Sequence, residues 1–429
     1  MIVVPCGGVG RTSLRTMKVL LAPHGTRGDV QPLLALARGL RERGHEPSFL
    51  VPDDCVRWIR DSGFPGEPNG IDVAGTFGSR GAAVASGRWP WRQFVDVVVP
   101  ALFESFGRID SHVDAIVGSG AQVAAASVAE QWGVTYVNAV FCPCAVPNDA
   151  SPPPMVKTQA LPRFLNRFLW EWGMPLAGLA LRRSVNGGRA RLGLASLFNP
   201  LSHLTRHATL LAADPDLAPL GDDAPLTVIP TDAWVLDEPQ PDLDPRIARF
   251  LDLNPAPIYV EFDSMNASRA GELADHVVAA GHAVGRGVLM AGGQASLGQD
   301  LVDSEDVLVA GELPPETVLP RVAVAVHHGD AGTTTAVARA GVPQVVLPHV
   351  PNQYYWASRV ERLGLGPRPL PVDLVTADVL TERLDRALND REIRGRARAC
   401  GPVIASRNGV PAAVEYLEEL VALPGSVSD

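Results

Sequence analysis

Three short stretches place polar side chains among glycines where an apolar run gives way to a helical pattern. Residues 326–335 read Val-His-His-Gly-Asp-Ala-Gly-Thr-Thr-Thr. They follow the apolar run Val322 to Val326 and open a helix over Thr333 to Arg339. Small residues there let the backbone approach a ligand, and a helix start offers N–H groups and a partial positive charge. That combination holds phosphate. His327 at the strand end can add a donor, with His328, Gly329, Ala331, Gly332 and Thr333 around it. A plain strand-to-helix turn is the alternative, but two histidines before the glycines and threonines after them favour phosphate. Residues 24–32, His-Gly-Thr-Arg-Gly-Asp-Val-Gln-Pro, occupy the equivalent place near the start of the chain. Gly25 and Gly28 permit a tight loop. Asp29 suits a general base within reach of a hydroxyl. It suits a helix cap equally well, and spacing alone leaves both open. Residues 349–356, His-Val-Pro-Asn-Gln-Tyr-Tyr-Trp, follow a third apolar run. The amides of Asn352 and Gln353 could bond sugar hydroxyls, or the stretch is another helix start.

The elements around these stretches alternate strand and helix. Lys18 to Ala22 reads as a buried strand, His24 to Pro32 as a loop, Leu33 to Arg43 as a helix ended by Gly44, and Ser48 to Val51 as the next strand. That order requires a parallel sheet with right-handed crossovers. The pattern recurs at 115–117, 121–132 and 135–137. Cys142 to Pro154 is a Pro-rich loop, and 164–182 is a helix covering a core or a cleft. Alternation restarts with strands at 257–262, 287–291, 307–309, 322–326 and 344–347, helices over 270–280 and from 333, and a last amphipathic helix over 408–422. Two successive α/β units predict two lobes with a cleft, and ligands bind at the carboxyl ends of such strands. The expected division is a loose extension over 1–16 and an N-terminal acceptor-binding domain over 17–225. A linker over 226–245, a C-terminal domain over 246–405 and a returning helix over 406–429 follow.

The three stretches together resemble the nucleotide-sugar glycosyltransferases that include the vancomycin-type antibiotic enzymes and the sterol glucosyltransferases. The likeness runs from Met17 onward, through HGTRGDVQP at 24–32, AADPDLAPL at 212–220, TDAWVLDE at 231–238, PIYVEFDSM at 257–265 and residues 321–348. It implies the GT-B fold, two Rossmann-like parallel-sheet domains facing across a cleft. It implies an inverting, metal-independent transferase that needs no cofactor beyond its co-substrate, a dTDP- or UDP-sugar. The sugar, in some relatives deoxy- or amino-, would pass to a hydroxyl of a small natural-product acceptor. Asp29 falls at the family's base and Thr26 at its hydroxyl near the reacting centre. His327, Gly332 and Thr333 fall at the diphosphate cradle, with Arg27, Gly28 and Ser264 among the donor contacts. The sequence departs from the family in the donor half. Glu261-Phe262-Asp263-Ser264 stands where Gly-Phe-Gly-Ser is usual, Asp330 where a small residue is common and Asn352-Gln353 where Asp-Gln is common. Gly292-Gly293-Gln294 stands where many relatives carry Arg-Gly-Trp. Carboxylates facing a diphosphate repel it. They point elsewhere, meet an amino group or polyol of an unusual donor such as an activated cyclitol, or mark a homologue that no longer turns over.

The 429 residues suit two domains of about 200 residues each. Net charge is −10 and the pI is about 5.5, without the basic patches of a nucleic-acid binder. No apolar run reaches the roughly 20 residues of a membrane span. Residues 1–16 lack a signal-peptide core, so the expectation is a cytoplasmic protein whose fold begins near Met17. Five scattered cysteines fit a reducing compartment, and Cys142 and Cys144 make a poor zinc site without a second pair. Trp89, Trp91, Phe94, Phe141, Trp170 and Trp172 either line an apolar acceptor cleft or are plain core, and His24 is a further candidate acceptor contact. The sequence sets neither the acceptor's identity nor an oligomeric state.

Overall fold

The computed structural model describes residues 15–73, 91–236, 243–262, 267–292, 297–298, 301–311 and 313–422. The first sheet has seven strands in the order β3-β2-β1-β4-β5-β6-β7. They are β1 (Lys18–His24), β2 (Glu46–Val51), β3 (Gly66–Pro68), β4 (Ala115–Gly120), β5 (Thr135–Val140), β6 (Ala208–Leu211) and β7 (Val228–Pro230). The second has five in the order β10-β9-β8-β11-β12. They are β8 (Ile258–Glu261), β9 (Val288–Ala291), β10 (Val307–Ala310), β11 (Val324–His327) and β12 (Gln344–Val346). Every pairing is parallel. The strand order turns back between β1 and β4 and between β8 and β11. Crevices open at such points, and the two glycine-rich motifs lie there.

The central strands are buried on both faces because helices cover each side. One face of the first sheet packs Leu33, Leu36 and Leu40 of α1 (Arg27–Glu42), and the other packs Val98, Leu102 and Leu181. Leu181 belongs to α3 (Met174–Arg191), which continues α2 (Arg163–Phe168) through a π-helical turn over Leu169–Gly173. The second sheet is sandwiched likewise. A further apolar cluster joins the domains. Cys144, Val146, Leu211 and Leu217 of the first pack against Val346, Tyr355, Trp356 and Val360 of the second. Here α4 is Ala331–Arg339 and α5 is Gln353–Leu363, and Tyr355, Trp356 and Val360 lie on α5.

The structure moves several expected boundaries. The first helix starts at Arg27, not Leu33, and holds Pro32 within it. Proline's fixed φ suits a helix, and only one N–H is lost so near the start. β7 lies inside the stretch expected to be linker; three residues ending in proline are too short for a visible period. Cys142 and Cys144 form a disulfide across Pro143, which departs from reading the scattered cysteines as thiols. Residues 1–14 lie outside the described residues. Among the described residues no helix is long and apolar enough to cross a membrane.

The last helix, α6 (Val410–Ala422), returns to the first domain and buries Val410, Val414 and Leu417 against α1. Glu418 completes that joint. It accepts from Arg43 Nε at 3.0 Å and Nη2 at 2.5 Å, and from His45 Nε2 at 2.9 Å. His45 Nδ1 takes the Met17 N–H at 3.2 Å, which fixes the ring proton on Nε2. Glu418→Ala leaves a buried imidazole N–H without its acceptor, so it should cost about 1–3 kcal/mol. Thermal unfolding should show a lowered Tm, and an unchanged Tm would mean that the joint contributes nothing.

Candidate active site

Asp29 sits in the first turn of α1, half-buried at the carboxyl end of β1. Its Oδ2 accepts the Thr26 N–H at 3.1 Å. The carboxylate therefore does cap the helix, and this does not remove it from the cleft. Two glycines make its space: a side chain on Gly25 would strike Asp29 Oδ2, and one on Gly120 would strike the His24 carbonyl and come within 3.2 Å of Asp29 Oδ1. Gly120 also takes φ +66°, where glycine is favoured. Ser119, beside it at the end of β4, donates its hydroxyl to the Asp29 carbonyl at 3.3 Å. Sequence reading passed over Ser119 and Gly120, although the run Gly-Ser-Gly at a strand end is the signal that marks them.

The donor-side turn is built from β11, β8 and α4. Gly329 has φ +92°, and a side chain on it would lie 2.6 Å from Val346 Cγ1, so only glycine fits. Asp330 is the N-cap of α4 and accepts the Thr333 N–H on Oδ1 at 2.9 Å. Thr333 Oγ1 donates to Glu261 Oε2 at 3.2 Å, across from the end of β8. His328 Nε2 lies 3.6 Å from Asp330 Oδ1. Gly332 is exposed at the mouth and Ala331 is half-buried beside it. Two of the departures from the family pattern thus have partners: Asp330 caps its own helix, and Glu261 accepts from the Thr333 hydroxyl. Asp263 and Ser264 lie outside the described residues.

The two motifs meet. A side-chain carbon built on Gly28, at the start of α1, would lie 3.1 Å from Asp330 Oδ2 at the start of α4. The N-termini of a helix from each domain therefore face one another across the cleft, with the Asp330 carboxylate between them.

Several expected residues stand elsewhere. His327 does not face the cleft as a donor. It is fully buried, its Nδ1 accepts the Gly329 N–H at 3.1 Å, and its Nε2 donates to Gln344 Oε1 at 2.9 Å. Both ring nitrogens are used in holding the turn from beneath. Gln353 turns its carbonyl back to the His349 and Val350 N–H groups at 2.9 and 3.1 Å, while Asn352 stays exposed. The Arg27 guanidinium lies over the Trp58 ring, a contact within the first domain. His24 is buried, with Nδ1 3.5 Å from Asn69 Nδ2. Phe94 belongs to the core, and Trp170 is buried with Nε1 donating to the Ser151 carbonyl at 2.9 Å. Phe141 packs edge-on against Trp234. Composition cannot separate a cleft wall from a core, so the sequence leaves both readings of these aromatic side chains open. Trp172 is exposed, while Trp89 and the Trp91 side chain lie outside the described residues.

Comparison with known proteins gives the family and the fold. Residues 19–146 match the glycosyltransferase family 28 N-terminal domain, and residues 272–423 match the erythromycin biosynthesis protein CIII-like C-terminal domain. Glycosyltransferase GtfE of Amycolatopsis orientalis is 34% identical over 424 residues, covering 95% of this chain and 100% of the relative. The chain belongs to the vancomycin-type family of antibiotic glycosyltransferases. A second relative of this glycosyltransferase, the dTDP-epi-vancosaminyltransferase of the same organism, is 34% identical over 401 residues, 89% of this chain and 92% of the relative. The solved structure of spinosyn forosaminyltransferase SpnP superposes with a TM-score of 0.67 at 19% identity, covering 95% of this chain and 100% of that one. It shares the GT-B fold.

Burial pushes the imidazoles of His24 and His327 down to about 4, so both are neutral at neutral pH. The neighbouring His328 adds to the effect at His327. An imidazole lowered on folding leaves stability whole above its unfolded value near 6.5 and erodes it as pH falls towards 4. Each group should cost roughly 3 kcal/mol once charged. The Tm of the glycosyltransferase should be level between about pH 7 and 8 and fall between 6.5 and 4, and His24→Asn should flatten part of that fall. An unchanged decline in the variant would show that His24 is not among the groups responsible.

Proposed function

We propose that this glycosyltransferase is an inverting enzyme moving a sugar from a dTDP- or UDP-sugar to a hydroxyl of a natural-product acceptor. The approach of Gly28 to Asp330 carries the reading, because it brings the Asp29 carboxylate and the α4 N-terminus to one place. Asp29 takes the acceptor's proton as the acceptor oxygen attacks the anomeric carbon. The carbon–oxygen bond to the diphosphate breaks on the opposite side, which inverts the configuration. Negative charge then grows on the leaving diphosphate and meets the N–H groups of Ala331 and Gly332 in the first turn of α4. Since the helix end supplies that stabilisation, the reading calls on no cation and no further cofactor.

With its ring nitrogens engaged, His327 acts by shaping the turn. The Thr333 hydroxyl and the Asn352 amide are the remaining donor-side groups. Glu261 puts a carboxylate beside the cradle, which suits a sugar bearing an ammonium group. A relative named for a dTDP-activated donor, the dTDP-epi-vancosaminyltransferase, supports a dTDP-sugar as co-substrate.

Asp29→Asn keeps the cap to Thr26 but removes the base. Steady-state assays should show kcat lower by about 10²–10⁴, while calorimetry shows little change in nucleotide affinity. Turnover near the wild-type rate would remove Asp29 from the role of base.

A further inference from the structure

The seam between the domains holds a cavity of about 100 Å³ that neither glycine-rich motif lines. Asn148, Ser151 and Gln159, in the loop after β5, form one wall, and Tyr355, Arg359 and Arg362 of α5 form the other. Arg359 and Arg362 are one helical turn apart and share a face. Arg359 is half-buried; its Nε donates to the Leu217 carbonyl at 2.7 Å. Arg362 Nη2 donates to the Gln159 carbonyl at 3.0 Å. Both partners are neutral backbone groups, and among the described residues no carboxylate pairs with either arginine.

Two other buried or half-buried arginines have a counter-charge. Arg189 has Glu130, and Arg407 has Asp214 and Asp216. The chain does not lack carboxylates, having 47 acidic against 37 basic residues. Burial pushes the Arg359 guanidinium below its ordinary value; Tyr355 acts the other way, and the charge of Arg362 adds a smaller lowering. Positive charge taken from water without a partner is costly. An arginine pair opening into a cavity is also the arrangement that receives an oxyanion in fork geometry.

We propose that this cavity binds a small oxyanion, a phosphate or a carboxylate, between Arg359 and Arg362 and the facing loop. Its volume holds several waters or one such anion and is well below the roughly 300–1,000 Å³ of pockets for larger ligands, which excludes a nucleotide. Because the walls belong to different domains, an anion there ties the domains together. It also braces α5, whose N-terminal end carries Gln353 next to Asn352. The site stands apart from Asp29 and α4, so it does not depend on the reaction proposed above.

Thermal unfolding of the full chain, in chloride with added sodium phosphate or sodium malonate at matched ionic strength, tests the site. The wild type should gain about 2–5 °C in Tm, saturably, with at least one of the two anions. The anion that acts tells phosphate from carboxylate. The gain should vanish or shrink several-fold in Arg359→Gln and in Arg362→Gln. Arg362 is exposed, so its variant keeps the core intact and decides the matter if Arg359→Gln does not fold. No gain with either anion in the wild type, or an equal gain in wild type and Arg362→Gln, overturns the proposal.

Discussion

Two helix N-termini, one from each domain, point at the same small volume, and the Asp330 carboxylate fills it. Such ends carry partial positive charge and repel one another unless something negative lies between them, an effect worth roughly 0.3–1 kcal/mol at each end. Asp330 supplies that charge twice, by accepting the Thr333 N–H of its own helix and by facing Gly28 at the start of α1. A diphosphate is the ligand for which two converging helix ends and a glycine-rich turn are suited. On the proposed function, Asp330 stands where a diphosphate's charge would lie.

The rest of the fold keeps that meeting in place. Each motif follows a strand at a switch point, so the parallel sheets set the direction of both helix starts. The chain crosses between the domains twice, and the crossings touch: the Gly409 N–H donates to the Ala233 carbonyl at 2.9 Å, and a side chain on Gly409 would strike the Thr231 carbonyl. Arg407 then ties the second crossing to Asp214 and Asp216 of the AADPDLAPL stretch. That explains chemically why a stretch with no catalytic residue belongs to the pattern. α6 closes the circuit by burying its apolar face on α1, the helix that carries Asp29.

Much of this was legible in the sequence because it is local. An apolar run, then glycines, then a helical period describes a strand-to-helix turn whatever packs around it, and β1–α1 and β11–α4 were found that way. What neighbours decide was not legible. His327 sits one residue past the apolar run and looks poised to reach a ligand, but Gln344 on the adjacent strand takes one ring nitrogen and the Gly329 N–H takes the other. Gln353 looks like a ligand amide until the backbone of residues 349 and 350 folds onto it. Phe94 and Trp170 carry no mark that separates a core aromatic from a cleft aromatic. β6 and β7, at four and three residues, are too short to show a period. The anomalous carboxylates Glu261 and Asp330 were visible at once, but their common partner, Thr333, lies across the strand end from one and within the next helix turn from the other.

The central claim is that the facing ends of α1 and α4 form a nucleotide-diphosphate site in which Asp330 holds the ligand's place. Calorimetric titration of the wild type and Asp330→Asn with dTDP and UDP tests it directly. Asparagine keeps the helix cap and removes the charge. The account predicts saturable one-to-one binding of at least one nucleotide by the wild type, and binding several-fold tighter by Asp330→Asn. Binding of neither nucleotide by either protein, or weaker binding after the substitution, would contradict it.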